Sequence, residues 1–398
     1  MKTNKPVAVL ALMLAVGCAH SRTQPGMDGV QSAVVSPCTG TIVMEYRSQG
    51  VQNLLAIAPD SVTAKPLTTG SVYDFGPTCS PTKPLIVFAR KTTDHKAALW
   101  TVAMDGSKLN RITSGQTRDW MPRFTPDGEE VIYCSATGDD TSLYAIGENG
   151  TNRRPVAIAY RSSIRPQPLN DDGQILFWRA WNRAKGGSFE EPAWDYHGPY
   201  LLDPVTDLCT RLHEDFYARP ISVSASLRLG IVAVCVPDDS NDDALLLYWR
   251  EEPARWRYLR PSSEGYVDLD EYKKNTIDLR YPCFSPEGAM LVFTRVERGK
   301  NQSTLHVMDM NTGTARQVYG QGNWIESPCF LLGEEKIIFI AVEMEGGQAC
   351  RQLWMVDTDG TNAKRLDAGI GTTASESMAT PPRKPGRVAG PKVVVLRQ

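Results

Sequence analysis

The chain has 398 residues, 41% of them hydrophobic and 22% charged, and a formal net charge of −2. That is globular composition with ample material for a core, and it lacks the basic excess of nucleic-acid binders, so nucleic acid is set aside as a partner. Length alone allows two or three domains, or one long domain built of repeats.

In chain order, residues 1–6 carry Lys2 and Lys5 and are followed by the uncharged apolar run 7–17. That run is too short to cross a bilayer as a helix but has the size of a secretory signal's hydrophobic core. It ends in Leu14-Ala15-Val16-Gly17-Cys18, which resembles the lipobox of bacterial lipoproteins, with Ala15 where that family more often has Leu. The resemblance implies a signal over 1–17, cleavage before Cys18, and lipid on Cys18 holding a soluble body at a membrane through a tether over 18–32. Ala19, rather than Asp, after the lipidated residue implies the outer membrane, facing the periplasm. The plainer alternative is an ordinary cleaved signal with a chance cysteine.

Eight further cysteines, Cys38, Cys79, Cys134, Cys209, Cys235, Cys283, Cys329 and Cys350, are widely spaced with no CxxC. Neither a zinc knuckle nor a redox motif is indicated. An exported chain permits disulfides, but several of these residues lie in apolar strands, where cysteine acts as a small hydrophobe. Mostly buried thiols are expected, and no connectivity can be read.

From residue 33 the chain repeats itself. VAMDGSKLNRIT at 102–113 reads as a hairpin turning at Asp-Gly, and it returns as IGENGTNRRPV at 146–156 and VDTDGTNAKRL at 356–366. A second phrase runs ahead of such hairpins: PTCSPTKPLIVF at 77–88, PRFTPDGEEVIY at 122–133, PCFSPEGAMLVF at 282–293 and SPCFLLGEEKIIF at 327–339. Weaker copies stand at 35–44, 168–177 and 223–234. Aligned on Ser36, Ser80, Thr125, Asn170, Ser224, Ser285 and Leu331, the separations are 44, 45, 45, 54, 61 and 46 residues. A period near 45 is that of propeller blades.

Each unit reads as a short strand, a Ser/Thr-Pro-Asp/Glu-Gly turn, a very apolar strand, a third strand and an Asp-Gly hairpin to a fourth. The expected fold is all-β: a single β-propeller of four-stranded antiparallel blades, seven by this count, with six or eight open. The units fall at about 33–70, 77–114, 121–158, 165–213, 220–260, 281–319 and 326–367. In the tail, 371–398, the stretch 378–397 reads as one more hairpin able to close the ring.

The pairing of F-[ST]-P-[DE]-G with a downstream D-G-[ST]-x-x-x-R-[LI] resembles the WD40-like repeat of the TolB propeller family over about 33–370. WD40 proteins proper match less well, since no Gly-His…Trp-Asp pairs occur. The resemblance implies a scaffold that docks envelope partners, in TolB's case the peptidoglycan-associated lipoprotein and the Tol machinery. The chain departs from the family in having no α/β domain before the propeller and in carrying its own lipid anchor, which puts membership of the Tol system in doubt.

Catalytic signatures are missing: there is no GxSxG elbow, Walker loop, HExxH or GxGxxG. The propeller also resembles the N-terminal half of prolyl-oligopeptidase-like enzymes, without a hydrolase domain after it. His95, His197, His213 and His306 do not recur at equivalent blade positions, unlike the metal-binding histidines of a propeller lyase family that degrades pectin fragments, and His20 lies in the tether. No metal or cofactor is expected. Asp105, Asp127, Glu287, Asp357 and Asp359 read as turn residues, with a calcium site as the alternative. Trp120 and Trp324 occupy like positions and read as structural.

The most distinctive non-repeat segment is WRAWNRAKGGSFEEPAWDYHGPY, 178–200, read as a recognition loop through Trp178, Trp181, Trp194, Tyr196 and Tyr200. The alternative is that its tryptophans pack a lid over an irregular blade. A second insertion falls at 260–281. The favoured reading is a lipid-anchored, non-enzymatic scaffold binding an envelope protein or cell-wall glycan. Its rival is a glycan-degrading enzyme at the channel mouth, drawing carboxylates from Glu190, Glu191 and Asp195.

Overall fold

The computed structural model of the chain describes residues 28–367 except 62, 94, 138–139, 158–161, 170–172, 188–191, 213–221, 227–230, 238–242, 250–254, 260–265, 268–276, 298–301, 321–323, 334 and 346–347. For 180–197 and 222–267 it describes the backbone alone. Cys18 and the tail from 368 lie outside the described residues.

Every regular element among the described residues is a strand. The first group is β1 (Gly29–Val35), β2 (Ile42–Ser48), β3 (Val51–Ile57) and β4 (Lys65–Pro66). Then come β5 (Asp74–Cys79), β6 (Leu85–Thr93), β7 (Lys96–Ala103) and β8 (Asn110–Arg111). The third is β9 (Arg118–Phe124), β10 (Glu130–Thr137), β11 (Asp140–Gly147) and β12 (Arg154–Ala157). The fourth is β13 (Ser162–Pro168), β14 (Ile175–Gly187), β15 (Pro192–Asp203) and β16 (Leu208–Arg211). The fifth has β17 (Ser222–Ser226), β18 (Ile231–Pro237), β19 (Asp243–Trp249) and β20 (Arg255–Leu259), with β21 (Tyr266–Val267) added at its edge from the second insertion. Next are β22 (Ile277–Phe284), β23 (Met290–Glu297), β24 (Ser303–Asp309) and β25 (Ala315–Tyr319). The last group is β26 (Trp324–Phe330), β27 (Lys336–Glu345), β28 (Gln348–Asp357) and β29 (Lys364–Arg365).

Within each group successive strands pair antiparallel. The first strands β1, β5, β9 and β13 pack on one another in turn, as do β17, β22 and β26, and β26 meets β1. This is a β-propeller built of four-stranded antiparallel sheets.

The second strands explain why the ring holds. Ile86–Ala89 of β6 and Ile337–Ile340 of β27 have no exposed surface. Alternate side chains enter alternate faces, so one strand serves two core layers. Val87 and Ala89 join Trp120 and Tyr133, while Ile86 and Phe88 join Val43 and Leu54 of the preceding blade. Each large side chain buried this way stabilises by about 1.5–3 kcal/mol.

The innermost strands β5, β9, β22 and β26 begin ahead of the units counted in the sequence, and Pro77, Pro122, Pro282 and Pro328 sit inside them at a bulge. Register slips between Phe75 and Thr78, between Arg280 and Cys283, and between Glu326 and Cys329. The residue before the proline turns left-handed: Gly76 (φ 63°), Met121 (53°), Tyr281 (53°) and Ser327 (48°). Proline has no N–H to give a ladder, so an inner-edge bulge is where a strand tolerates it. The bulge also corrects one sequence reading. Trp120 directly precedes Met121 whereas Trp324 stands three residues before Ser327, so the two tryptophans are not equivalent.

At the end of the ring formed by the tight turns, each blade leans on the one before. The expected turn chemistry is present: Asp105, Asn149 and Asp359 each accept the N–H of the residue two ahead at 2.8–3.0 Å. Asp127 likewise accepts the Glu129 N–H at 3.0 Å, and these bonds hold its carboxyl below the usual range. The glycine that follows does more than permit the turn. A Cβ on Gly106, Gly150 or Gly360 would come within 3.3, 3.2 or 3.1 Å of the backbone carbonyl of Pro66, Ile112 or Val318 in the preceding blade. Gly150→Ala and Gly360→Ala are therefore expected to cost about 2 kcal/mol each, from the left-handed backbone plus the clash. Gly50→Ala, at φ +80° with nothing within 4 Å, should cost about 1 kcal/mol. Urea midpoints of the three variants check this; equal losses would remove the interblade contact from the account.

At the opposite end the blades are joined by parallel bridges. The start of a third strand touches the start of the next innermost strand at Gln52↔Tyr73 and Ala97↔Arg118. The same bridge, Arg351↔Gly29, joins the last group to the first.

Candidate functional site

Register slips divide the innermost strands β1, β5, β9, β13, β22 and β26. On the side carrying the interblade bridges, the residues before the bulge bring charges into an otherwise apolar ring. Asp74 is fully buried and its two carboxylate oxygens meet Arg90 Nε and Nη2 at 2.6 and 2.8 Å. Burial nevertheless raises the Asp74 carboxyl above its ordinary value, against the Arg90 bonds that lower it. The Arg90 guanidinium lies 4.9 Å from the Trp100 ring centre. Asp119 accepts from Ser135 Oγ (2.6 Å) and Thr117 Oγ1 (2.8 Å), and Arg118 lies over Trp120 at 4.6 Å.

Gln52 organises the next sector. It accepts from Arg47 Nε and Nη2 at 3.1 and 2.8 Å and donates to Glu45 Oε2 and to the Asp74 carbonyl, both at 2.9 Å. Glu45 Oε1 accepts the Gly76 N–H at 2.7 Å, so the bulge itself is pinned by a carboxylate from the preceding blade. Arg47 also donates to the Tyr73 hydroxyl. Asp278 and Arg280 pair at 2.9 Å, two residues apart on one strand face. Glu326 meets Arg351 at 2.6 Å, and Arg351 donates to the Val30 and Gln31 carbonyls at 2.9 and 3.0 Å.

The result is a ring of buried ions in which these carboxylates carry their own cation, hydroxyl or amide. Among the described residues no group of three or more His, Cys, Asp or Glu is placed to hold a metal ion. His95 is exposed at the β6–β7 turn, and His306 is buried, stacked on Phe293 with ring centres 5.9 Å apart.

The aromatic segment 178–200 is not a loop. It forms the far parts of β14 and β15, paired as Arg183↔Trp194 and Gly187↔Pro192 through three register slips. Trp178 and Tyr200 belong to the core, at 0% and 7% exposure, and Tyr200 stacks on Phe177 with ring centres 6.0 Å apart. Trp181, Trp194 and Tyr196 lie in the hairpin, and their side chains, like that of Asp195, are outside the described residues. Glu190 and Glu191 fall outside them altogether. Arg179, at the hairpin base, spans the two groups: it lies 4.4 Å from the Tyr200 ring centre and reaches Cys209 Sγ at 3.4 Å.

Sequence reasoning missed the buried ions. One signal was available: an arginine closes the apolar run of three second strands, in Phe88-Ala89-Arg90, Phe177-Trp178-Arg179 and Phe293-Thr294-Arg295.

No family model matches the chain. The uncharacterized protein Atu1656 of Agrobacterium fabrum is 35% identical over 80 residues, which are 20% of this chain and 27% of that protein. Among solved structures, a prolyl endopeptidase superposes with TM-score 0.61 at 14% identity, over 85% of this chain and 49% of that one. The chain thus spans about half of that enzyme's length. The β-propeller domain of the trilobed protease from Pyrococcus furiosus, described as having an open velcro topology, gives 0.56 at 12% identity (85% and 95% covered). An oligogalacturonate lyase in complex with manganese gives 0.55 at 13% identity, with 85% of each chain covered. TolB of Acinetobacter baumannii is matched more loosely, at 0.46 and 15% identity over 81% of this chain and 77% of that one. At these identities the likeness establishes the propeller fold and nothing finer.

Proposed function

We propose that the chain is an exported scaffold of the bacterial envelope, tethered by lipid on Cys18, that docks a partner without transforming it. The observation that carries this reading is the fourth-blade hairpin. β14 and β15 have 13 and 12 residues, against 8 each for β10 and β11 of the preceding blade. At about 3.3 Å per residue the extra length carries it roughly 16 Å further. It leaves the ring at the end lined with buried ions and bears Trp181, Trp194 and Tyr196, residue types that supply interface anchors. Carboxylates already engaged with their own partners are ill suited to proton transfer, which needs a free group of tuned pKa. The partner class is an envelope protein, with a peptidoglycan-associated lipoprotein the case the TolB resemblance points to, and a seven-bladed ring at the outer membrane facing the periplasm is the setting.

The test is a pull-down from solubilised envelopes with wild type and the Trp181→Ala, Trp194→Ala double variant. A defined protein retained by wild type and lost by the variant, at nearly unchanged melting temperature, is the expected result. A melting temperature lowered by several degrees with binding unchanged would make the tryptophans a packed lid and overturn the reading. Retention on peptidoglycan with no protein partner would transfer it to a glycan. Incorporation of labelled palmitate, abolished by Cys18→Ala, checks the anchor separately.

A further inference from the structure

We infer that Cys283 and Cys329 are a disulfide-forming pair that clasps two neighbouring innermost strands. Cys283 follows Pro282 in β22 and Cys329 follows Pro328 in β26, the same place one residue beyond the bulge in consecutive repeats. β22 and β26 pack side by side, which sets the two cysteines next to one another so that each thiol acts on the other. Each also approaches the carbonyl of the following phenylalanine, Phe284 or Phe330, at 3.5 Å, so the two side chains are oriented alike. Neither residue is fully buried. Thiols brought together by strands already fixed in their own ladders need little backbone movement to join. The cysteines nearby are less suited: Cys38 Sγ is engaged with the Lys83 carbonyl at 3.1 Å and Ser36 Oγ at 3.3 Å, and Cys79, which acts on both Cys38 and Cys329, is buried.

The chemistry is thiol–disulfide exchange with an oxidised dithiol or glutathione disulfide. One thiolate of the pair attacks one sulfur of the oxidant and expels the other half as a thiol. The second cysteine then attacks the sulfur of the first in the mixed disulfide and expels the second half. One S–S bond forms in the protein and one breaks in the oxidant; two electrons and the two thiol protons pass to the leaving thiols. The Cys283 hydrogen bond and burial push the Cys329 thiol well above its ordinary range, which makes the reaction slow in the closed ring. The fast route is therefore during folding, before these blades close. The link spans 46 residues, one repeat, and stabilises by restricting the unfolded chain.

The experiment is refolding in a buffer of reduced and oxidised glutathione, followed by alkylation, digestion and mass spectrometry. The expected product is a Cys283–Cys329 linked peptide and a melting temperature several degrees above that of the same protein in reductant. Cys283→Ser and Cys329→Ser should match reduced wild type in reductant and gain nothing from the oxidant. Full alkylation of both residues after refolding with oxidant, a link between other cysteines such as Cys38 and Cys79, or a stabilisation that survives Cys329→Ser would overturn the inference. Export, proposed above, would supply the oxidant in the cell, but the outcome in buffer does not depend on it.

Discussion

Replacing Arg351 by methionine is expected to lower the unfolding free energy by about 3–5 kcal/mol, the usual cost of stranding one member of a buried ion pair. The guanidinium is 4% exposed and its partner Glu326 is 7% exposed, so water cannot take over. The substitution keeps most of the volume but leaves the Glu326 carboxylate without its cation. It also strips a donor from the carbonyls of Val30 and Gln31 in the first blade. Two of Arg351's three contacts therefore cross between the last blade and the first. Adding Glu326→Gln to Arg351→Met should recover much of the loss, because the stranded charge is then gone. Urea unfolding of the two single variants and the double variant measures this. A loss below about 1 kcal/mol for Arg351→Met would mean that the pair contributes no more than an exposed one.

The second large effect is a dependence on pH. Burial, with a smaller push from Arg295, lowers the His306 imidazole from 6.5 to about 4. The unfolded chain therefore binds a proton that the folded ring refuses between those values. The contribution of neutral His306 is complete above pH 6.5 and is lost as pH falls toward 4, a change of about 3 kcal/mol. Thr304 Oγ1, 2.9 Å from Nε2, fixes the neutral ring in place. Asp74 and Asp367 slope the other way, since burial raises both carboxyls, and their contribution falls as pH rises. Both remain in a His306→Gln variant, so the difference between wild type and variant isolates the histidine. That difference should be flat above pH 6.5 and shift by about 3 kcal/mol in favour of the variant by pH 4. A difference unchanged across the window would show that the imidazole titrates alike in both states.

Much of the architecture was legible because it is local and repeated. The Asp-Gly hairpin announced its own period, and the apolar second strands announced burial on both faces. The inner strands were legible only from about the proline onward, in units starting at 121, 281 and 326, and only the ladder reveals that Met121, Tyr281 and Ser327 bulge to admit it. The aromatic segment 178–200 misled: its glycines and prolines suggested a loop, whereas Gly187 and Pro192 pair with each other across a long hairpin. The buried ions were the least legible. Arg90, Arg179 and Arg295 recur, but the residues opposite them are Asp74, Ser163 and Leu279, so no acid–base motif repeats. Most are completed by another strand or blade, Asp278 and Arg280 sharing one strand, and the pair of Glu326 and Arg351 extends to the first blade.

The parallel bridge at Arg351↔Gly29 has the same form as those at Gln52↔Tyr73 and Ala97↔Arg118. A linear stack of repeats frays from its two end units, which have one neighbour each and need special caps. A stack bent round until its first and last units share the ordinary contact has no end units to fray. Opening then has to start by parting one junction between blades, and the weakest junction, wherever it lies along the chain, sets how readily the whole ring comes apart.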